Sequence, residues 1–277
     1  MWPIFLWVHV MSVLHLFLVA IIQGVTEFLP VSSSGHLILL PALTGFSDQG
    51  LAIDVAVHVG TLTAVILFFR HDVLLALTGV GRLVRGRADT PGAKLALLLI
   101  IATIPVVLAG LAIQMTGLAD RMRSVAVIGW TMLIFGLVLY WADRQEPSPK
   151  RVDGWSFRDA IIMGLAQTLA LIPGTSRSGI TISAARKLGY QRQDAARLSM
   201  LMSIPTIAAS GLLLGLDVLA GADIGLARDG AIAAALSFLA ALIALTLMMR
   251  LLRSVSFTPY VIYRIFLGLF LLWIAYS

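Results

Sequence analysis

Gln23-Gly24-Val25-Thr26-Glu27-Phe28-Leu29-Pro30-Val31-Ser32-Ser33-Ser34-Gly35-His36 is the stretch that decides the fold, with a partner at Gln167-Thr168-Leu169-Ala170-Leu171-Ile172-Pro173-Gly174-Thr175-Ser176-Arg177-Ser178-Gly179. Each run breaks a strongly apolar region with a carboxylate or a guanidinium, several hydroxyls, Pro and Gly. An ionisable group at membrane depth costs roughly 3 kcal/mol or more, so such groups are functional by default. Backbone leaves the helix at that depth only where protein or a water-filled cavity satisfies its polar groups. Both runs therefore predict a helix–loop–helix hairpin that re-enters the membrane and lines a buried polar site for an anion.

The surrounding composition supports this. The chain has 277 residues, 59% hydrophobic and 12% charged, with mean hydropathy +0.96. Soluble domains are roughly 45–50% apolar and about 25% charged. The fold class is an all-α polytopic membrane protein. The first twenty residues are apolar but lack a basic leader and a small-residue cleavage site, so they are read as structure. With no cysteine, disulfide and thiol chemistry are excluded. The net charge of +6 is attributed to loops that set orientation. No basic block carries interleaved aromatics, so no nucleic-acid partner is expected.

A spanning helix needs about 20 apolar residues. Six stretches qualify: 52–69, 94–114, 123–141, 195–216, 229–250 and 258–276. Two further apolar regions, 3–45 and 158–190, are the ones broken by the polar runs. Lys and Arg collect in loops on the cytoplasmic side. Here they mark four connections: Arg70, Arg82, Arg85, Arg87 and Lys94; Arg144, Lys150, Arg151 and Arg158; Arg186, Lys187, Arg192 and Arg197; Arg250 and Arg253. Loops near 46–51, 115–122 and 217–228 are poor in both. A hairpin returns to the side it entered, so both termini fall outside the cytoplasm, and the two hairpins enter from opposite faces.

That arrangement is an inverted-topology repeat. Gln23 and Gln167 head the two runs, and at their offset of 144 Ser32 matches Ser176 and Ser34 matches Ser178. Ile104-Pro105 and Ile204-Pro205 echo each other. The expected organisation is a single membrane domain over 1–277. Repeats 1–141 and 158–277 are joined by a cytoplasmic loop at 142–157. Inverted repeats with broken helices place their sites at the repeat interface.

Gln23 and Glu27 are four apart and share one helix face. Ser32-Ser33-Ser34-Gly35 offers hydroxyls and backbone N–H groups that can cradle an oxyanion, and His36 opens the returning helix. Arg177, between Ser176 and Ser178 and after Pro173-Gly174-Thr175, supplies a planar fork suited to phosphate; Thr181 can add a donor. The bland readings are a structural Glu27–His36 pair and an Arg177 that only neutralises Glu27. Asp54 and His58 are four apart and could face the same cavity, although a helix cap explains Asp54 equally well. Arg264 is expected to pair with a carboxylate or a lipid headgroup. His9 and His15 are read as incidental, and Met200 and Met202 as packing. No spacing resembles a tight zinc site, and no Walker loop is present.

Gln23-x-x-x-Glu27-Phe-Leu-Pro-Val-Ser-Ser-Ser-Gly-His36 and Pro173-Gly-Thr-Ser-Arg-Ser-Gly179 resemble the motifs of the undecaprenyl-diphosphate phosphatase family of bacterial membrane enzymes, which recycle the lipid carrier of cell-wall synthesis and confer bacitracin resistance. The resemblance covers nearly the whole chain in length and hydropathy. It implies a multi-pass inner-membrane enzyme that hydrolyses a polyisoprenyl diphosphate at a site open to the outer face. It also implies a divalent cation, Mg²⁺ or Ca²⁺. The family has Glu or Gln at the first motif position, and Gln23 here leaves one carboxylate for a shared metal. On that basis Glu27, Ser33, His36 and Arg177 are the expected catalytic residues, with Glu27 also the metal ligand. Gln23, Ser32, Ser34, Gly35, Gly174, Thr175, Ser176, Ser178 and Thr181 are expected to bind substrate. His36 is either the nucleophile or a base acting on Ser33 or water. The expected partners are the lipid and the bilayer, with a homodimer left open. An inverted-repeat transporter or lipid flippase is the rival reading.

Overall fold

The computed structural model describes residues 12–45, 48–118, 122–144, 150–219 and 224–277, with backbone alone for 42–43, 213–219 and 224. His9, residues 145–149 of the expected cytoplasmic loop, and parts of the three charge-poor loops lie outside the described residues. The described chain is helical, and its one β feature is an isolated bridge between Lys150 and Tyr190. Six helices are long and apolar enough to cross a membrane: α3 (Leu51–Phe68), α5 (Pro91–Thr116), α6 (Val125–Asp143), α9 (Arg192–Leu219), α10 (Ile224–Leu251) and α11 (Thr258–Tyr276). At about 1.5 Å per residue, even an 18-residue helix approaches the ~30 Å hydrocarbon layer. Only 22–50% of each apolar window is buried inside the protein. The rest, including Leu108, Trp141, Phe266 and Trp273, stays exposed and needs lipid as its solvent. The six expected spans are therefore present, and the protein is a polytopic membrane protein.

Both broken regions form the expected pairs of short helices. The first contains α1 (Val13–Thr26) and α2 (Ser33–Thr44), the second α7 (Phe157–Thr168) and α8 (Arg177–Lys187). None exceeds 14 residues, so none reaches across the bilayer alone. The residues before α2 and α8 have nearly the same backbone, Ser32 at φ 72°, ψ 98° and Ser176 at φ 71°, ψ 113°. Among the described residues, these two serines are the only non-glycines at positive φ. Such a conformation costs of order 1 kcal/mol or more and persists where surroundings enforce it. Each serine caps its helix, with Gly35 N–H donating to Ser32 Oγ at 3.4 Å and Gly179 N–H to Ser176 Oγ at 3.1 Å.

One helix was not expected. The basic segment after the first span reads as a loop, yet α4 (Arg70–Leu83) starts directly after Phe69 turns the corner. Asp72 lies in its first turn and Arg82 in its last, which suits the helix dipole. Arg82 pairs with Asp89 through two bonds, at 2.8 and 2.6 Å. Leu74, Leu75 and Leu77 are exposed on this short amphipathic helix.

Helix α3 packs against α10 and α9; α1 lies on α10, α7 on α5, and α6 on α11. Close approach requires glycine at Gly60, where a Cβ would run into the Ala234 carbonyl of α10. Ion pairs tie the helix ends that carry the basic residues. Asp143 accepts from Arg186 Nε at 3.1 Å, Arg192 Nε at 2.8 Å and Phe257 N–H at 3.0 Å. Arg197 holds Asp72, joining α9 to α4. Lys150 and Tyr190 both donate to Asp159 Oδ2 at 2.6 Å.

Candidate active site

Glu27 ends α1 and is reached from both hairpins. Its Oε2 accepts from Gln23 Nε2 at 2.9 Å and from Ser33 Oγ at 2.8 Å. Arg177, the first residue of α8, donates from Nη2 to its Oε1 at 3.0 Å. The helical spacing of Gln23 and Glu27 builds one side of this group, and the turn at Pro30 brings Ser33 back over it. The Glu27 side chain is 8% exposed and that of Arg177 13%. Two polar atoms are left over: Gln23 Oε1 and Arg177 Nη1 are buried without a hydrogen-bond partner. Ser178 Oγ adds a second link between the hairpins, donating to the Leu29 carbonyl at 2.9 Å.

Two cavities meet this group. The larger, of about 510 Å³, is lined by Glu27, Arg177, His58, Asp54, Arg123 and residues of α9 including Thr206. The smaller, of about 210 Å³, is lined by Gln23, Ser33, Ser34, His58 and Arg123 among others. Both lie toward the start of α3, the end opposite Asp72, Asp143 and their arginines.

The remaining expected residues build the loops. Ser32 and Ser176 cap helices, and the N–H groups of Gly35 and Gly179 are spent on those caps. Ser34 pairs with Ser32 at 3.2 Å, and Ser178 with Ser176 at 3.1 Å. Thr181 is buried, bonding the Arg177 carbonyl at 2.8 Å and Ser199 Oγ on α9 at 2.6 Å. Thr175 is buried, with an unpartnered hydroxyl. His36 lines neither cavity. Its Nδ1 donates to the Ser32 carbonyl at 2.7 Å, which leaves Nε2 to accept from the Tyr263 hydroxyl. The two rings stack at 5.6 Å. No Glu27–His36 bond forms.

Arg264 departs from its expected role. It meets no carboxylate and no lipid surface. Fully buried in α11, it donates to four backbone carbonyls: Met132 at 3.2 Å, Pro30 at 3.2 Å, Thr131 at 3.3 Å and Gly174 at 3.0 Å. One guanidinium thus holds both polar loops against α6. Gly174, at φ 87°, sits so close to Thr131 that a Cβ would strike its hydroxyl. That hydroxyl also bonds the Pro173 carbonyl at 2.6 Å.

The sequence pattern of the bacitracin resistance protein BacA family matches residues 16–270. This chain belongs to the BacA family. It is 70% identical over 267 residues to a protein of Roseobacter denitrificans named undecaprenyl-diphosphatase, covering 96% of this chain and all of that protein. A Jannaschia protein of the same name is 69% identical over the same shares of both chains. Undecaprenyl-diphosphatase 1 of Rhodospirillum rubrum is 46% identical over 272 residues, 96% of each chain.

In this BacA-family chain the group around Glu27 sets a hydroxyl bonded to a carboxylate and a guanidinium with an unpartnered nitrogen beside a cavity, an arrangement able to bind an oxyanion. Among the described residues no three His, Cys, Asp or Glu side chains gather for a metal. A hard cation would therefore rely on Glu27 with neutral oxygens, water and substrate, a usual arrangement for Mg²⁺. The orphaned Gln23 Oε1 fits such a ligand set. His58 and Arg264 are the residues that sequence reading undervalued. Their signal was an ionisable group inside an apolar span.

Proposed function

We propose that this chain is an undecaprenyl-diphosphatase, hydrolysing undecaprenyl diphosphate to undecaprenyl phosphate and inorganic phosphate. The observation that carries this is the contact of Ser33, Glu27 and Arg177 beside a cavity, in a chain matched along its length by proteins of that name. Arg177 binds the terminal phosphate through the donors it does not spend on Glu27. Ser33 Oγ attacks phosphorus, oriented by its hydrogen bond to Glu27 Oε2, and its proton passes to solvent in the cavity that Ser33 lines. The P–O bond of the anhydride breaks, and the lipid phosphate leaves as an anion. Water then releases phosphate from Ser33. His36 positions the Ser32–Ser33 turn through the Ser32 carbonyl, and it is the second candidate for base or nucleophile should Nε2 leave Tyr263. A divalent cation, Mg²⁺ or Ca²⁺, would be held by Glu27 and would neutralise charge on the diphosphate oxygens.

The hairpins are re-entrant and enter from opposite faces. Their short helices and the matching Ser32 and Ser176 backbones support an inverted repeat over 1–141 and 158–277. The basic helix ends face the cytoplasm by charge, so the cavities open outward and both termini lie outside the cytoplasm of the inner membrane. A flippase would share this architecture. The Ser33–Glu27 bond, which a carrier does not need, favours hydrolysis. In proteoliposomes the protein should release phosphate from undecaprenyl diphosphate; lipid movement across the bilayer without phosphate release would overturn the assignment.

A further inference from the structure

His58 stands at the junction of the two cavities, and no motif residue accounts for it. Its Nδ1 donates to the Asp54 carbonyl one turn earlier, at 2.7 Å. In the neutral ring that bond places the lone pair on Nε2. The lone pair lies 3.9 Å from Glu27 Oε2. An imidazole nitrogen and a carboxylate oxygen facing each other across that gap leave room for a small cation between them. Ligands held about 2.1 Å from one small cation lie roughly 3–4 Å from each other. A backbone carbonyl on the far ring nitrogen is also how ligating histidines are oriented. A second atom points the same way: Gln23 is fully buried, its Oε1 has no partner, and it lines the smaller cavity with His58.

We propose that His58 Nε2 is a ligand of the divalent cation in this chain, completing with Glu27 Oε2 and Gln23 Oε1 a mixed nitrogen–oxygen site that closes on the substrate diphosphate. The proposal rests on Glu27 as the cation-binding group. It replaces the carboxylate that Gln23 does not supply with an imidazole. Nitrogen ligation shifts preference away from Ca²⁺ and toward Mn²⁺.

The test uses the full-length protein in detergent with Mn²⁺ and a non-hydrolysable isoprenyl bisphosphonate, read by pulsed electron paramagnetic resonance. The expected spectrum shows a nitrogen directly coupled to Mn²⁺. The coupling changes when histidine is ¹⁵N-labelled and disappears in His58→Gln, which binds Mn²⁺ about tenfold or more weakly. Labelling the unsubstituted protein keeps the test decisive even if His58→Gln does not fold. Mn²⁺ that is lost in Glu27→Gln but shows no nitrogen coupling, or a coupling that survives in His58→Gln, overturns the role of His58. Mn²⁺ binding unchanged in Glu27→Gln overturns the underlying reading of Glu27, and the proposal with it.

Discussion

Replacing Arg264 with methionine tests how the two polar loops are held. Methionine keeps most of the volume and removes every donor. Of the four carbonyls that Arg264 serves, those of Thr131 and Met132 lie within α6, where helical bonding already uses them. Those of Pro30 and Gly174 lie in the loops and lose their guanidinium partner. A buried polar group left unsatisfied costs about 1–3 kcal/mol, so the two loop carbonyls together account for roughly 2–6 kcal/mol. Relief from burying a charge offsets part of this. At about 2–4 °C per kcal/mol for a chain of this size, the Tm should fall by roughly 5–20 °C. Because Pro30 precedes Ser32 and Gly174 precedes Ser176, kcat should fall more steeply than KM rises. Thermal unfolding in detergent and phosphate release measure the two effects. Arg264→Lys keeps the charge but not the fork, and should lie between methionine and the parent. A methionine variant with the parent Tm and kcat would refute the idea that this guanidinium fastens both loops.

Ser33→Ala should lower kcat by about 10³-fold or more, as loss of an activated nucleophile does, with little change in Tm; phosphate release at saturating lipid reads this. Gly60→Leu should separate α3 from α10, because even a Cβ meets the Ala234 carbonyl. The expected loss is about 1–3 kcal/mol, measured by thermal unfolding. Asp159 lies outside the spans. Burial pushes its carboxyl up, but hydrogen bonds from Lys150, Tyr190 and Ser156 outweigh burial and hold it below the ordinary value. A depressed carboxyl stabilises the fold above its unfolded pKa of about 3.9, and that stability is lost as pH falls through the folded value. The Tm gap between the parent and Asp159→Asn should therefore hold steady well above the unfolded value and close as the pH falls through the lower folded value.

The spans and the Gln23, Glu27, Ser33 and Arg177 group were legible in the sequence because charge is rare in this composition. A lone carboxylate or guanidinium in an apolar run carries more information than the same residue on a soluble surface. What was hidden depends on partners far along the chain. Arg264 bonds loop carbonyls 234 and 90 positions earlier, and local sequence does not encode that. His36 pairs with Tyr263 for the same reason. The caps at Ser32 and Ser176 require positive φ, and nothing distinguishes those serines from their neighbours in composition. Helix α4 was masked by its charges: Arg70 and Arg82 read as a loop, while the leucines between them carry a helical face.

The most direct measurement is kcat/KM for phosphate release from undecaprenyl diphosphate by the parent, Glu27→Gln and Arg177→Lys proteins in proteoliposomes. Both substitutions keep size closely, and Glu27→Gln leaves the buried Arg177 guanidinium without its carboxylate. We expect losses of at least about 10³-fold in each, measured at a temperature where thermal unfolding shows every variant to be folded. Turnover within a fewfold of the parent in either variant would contradict a reaction carried out where Ser33, Glu27 and Arg177 meet.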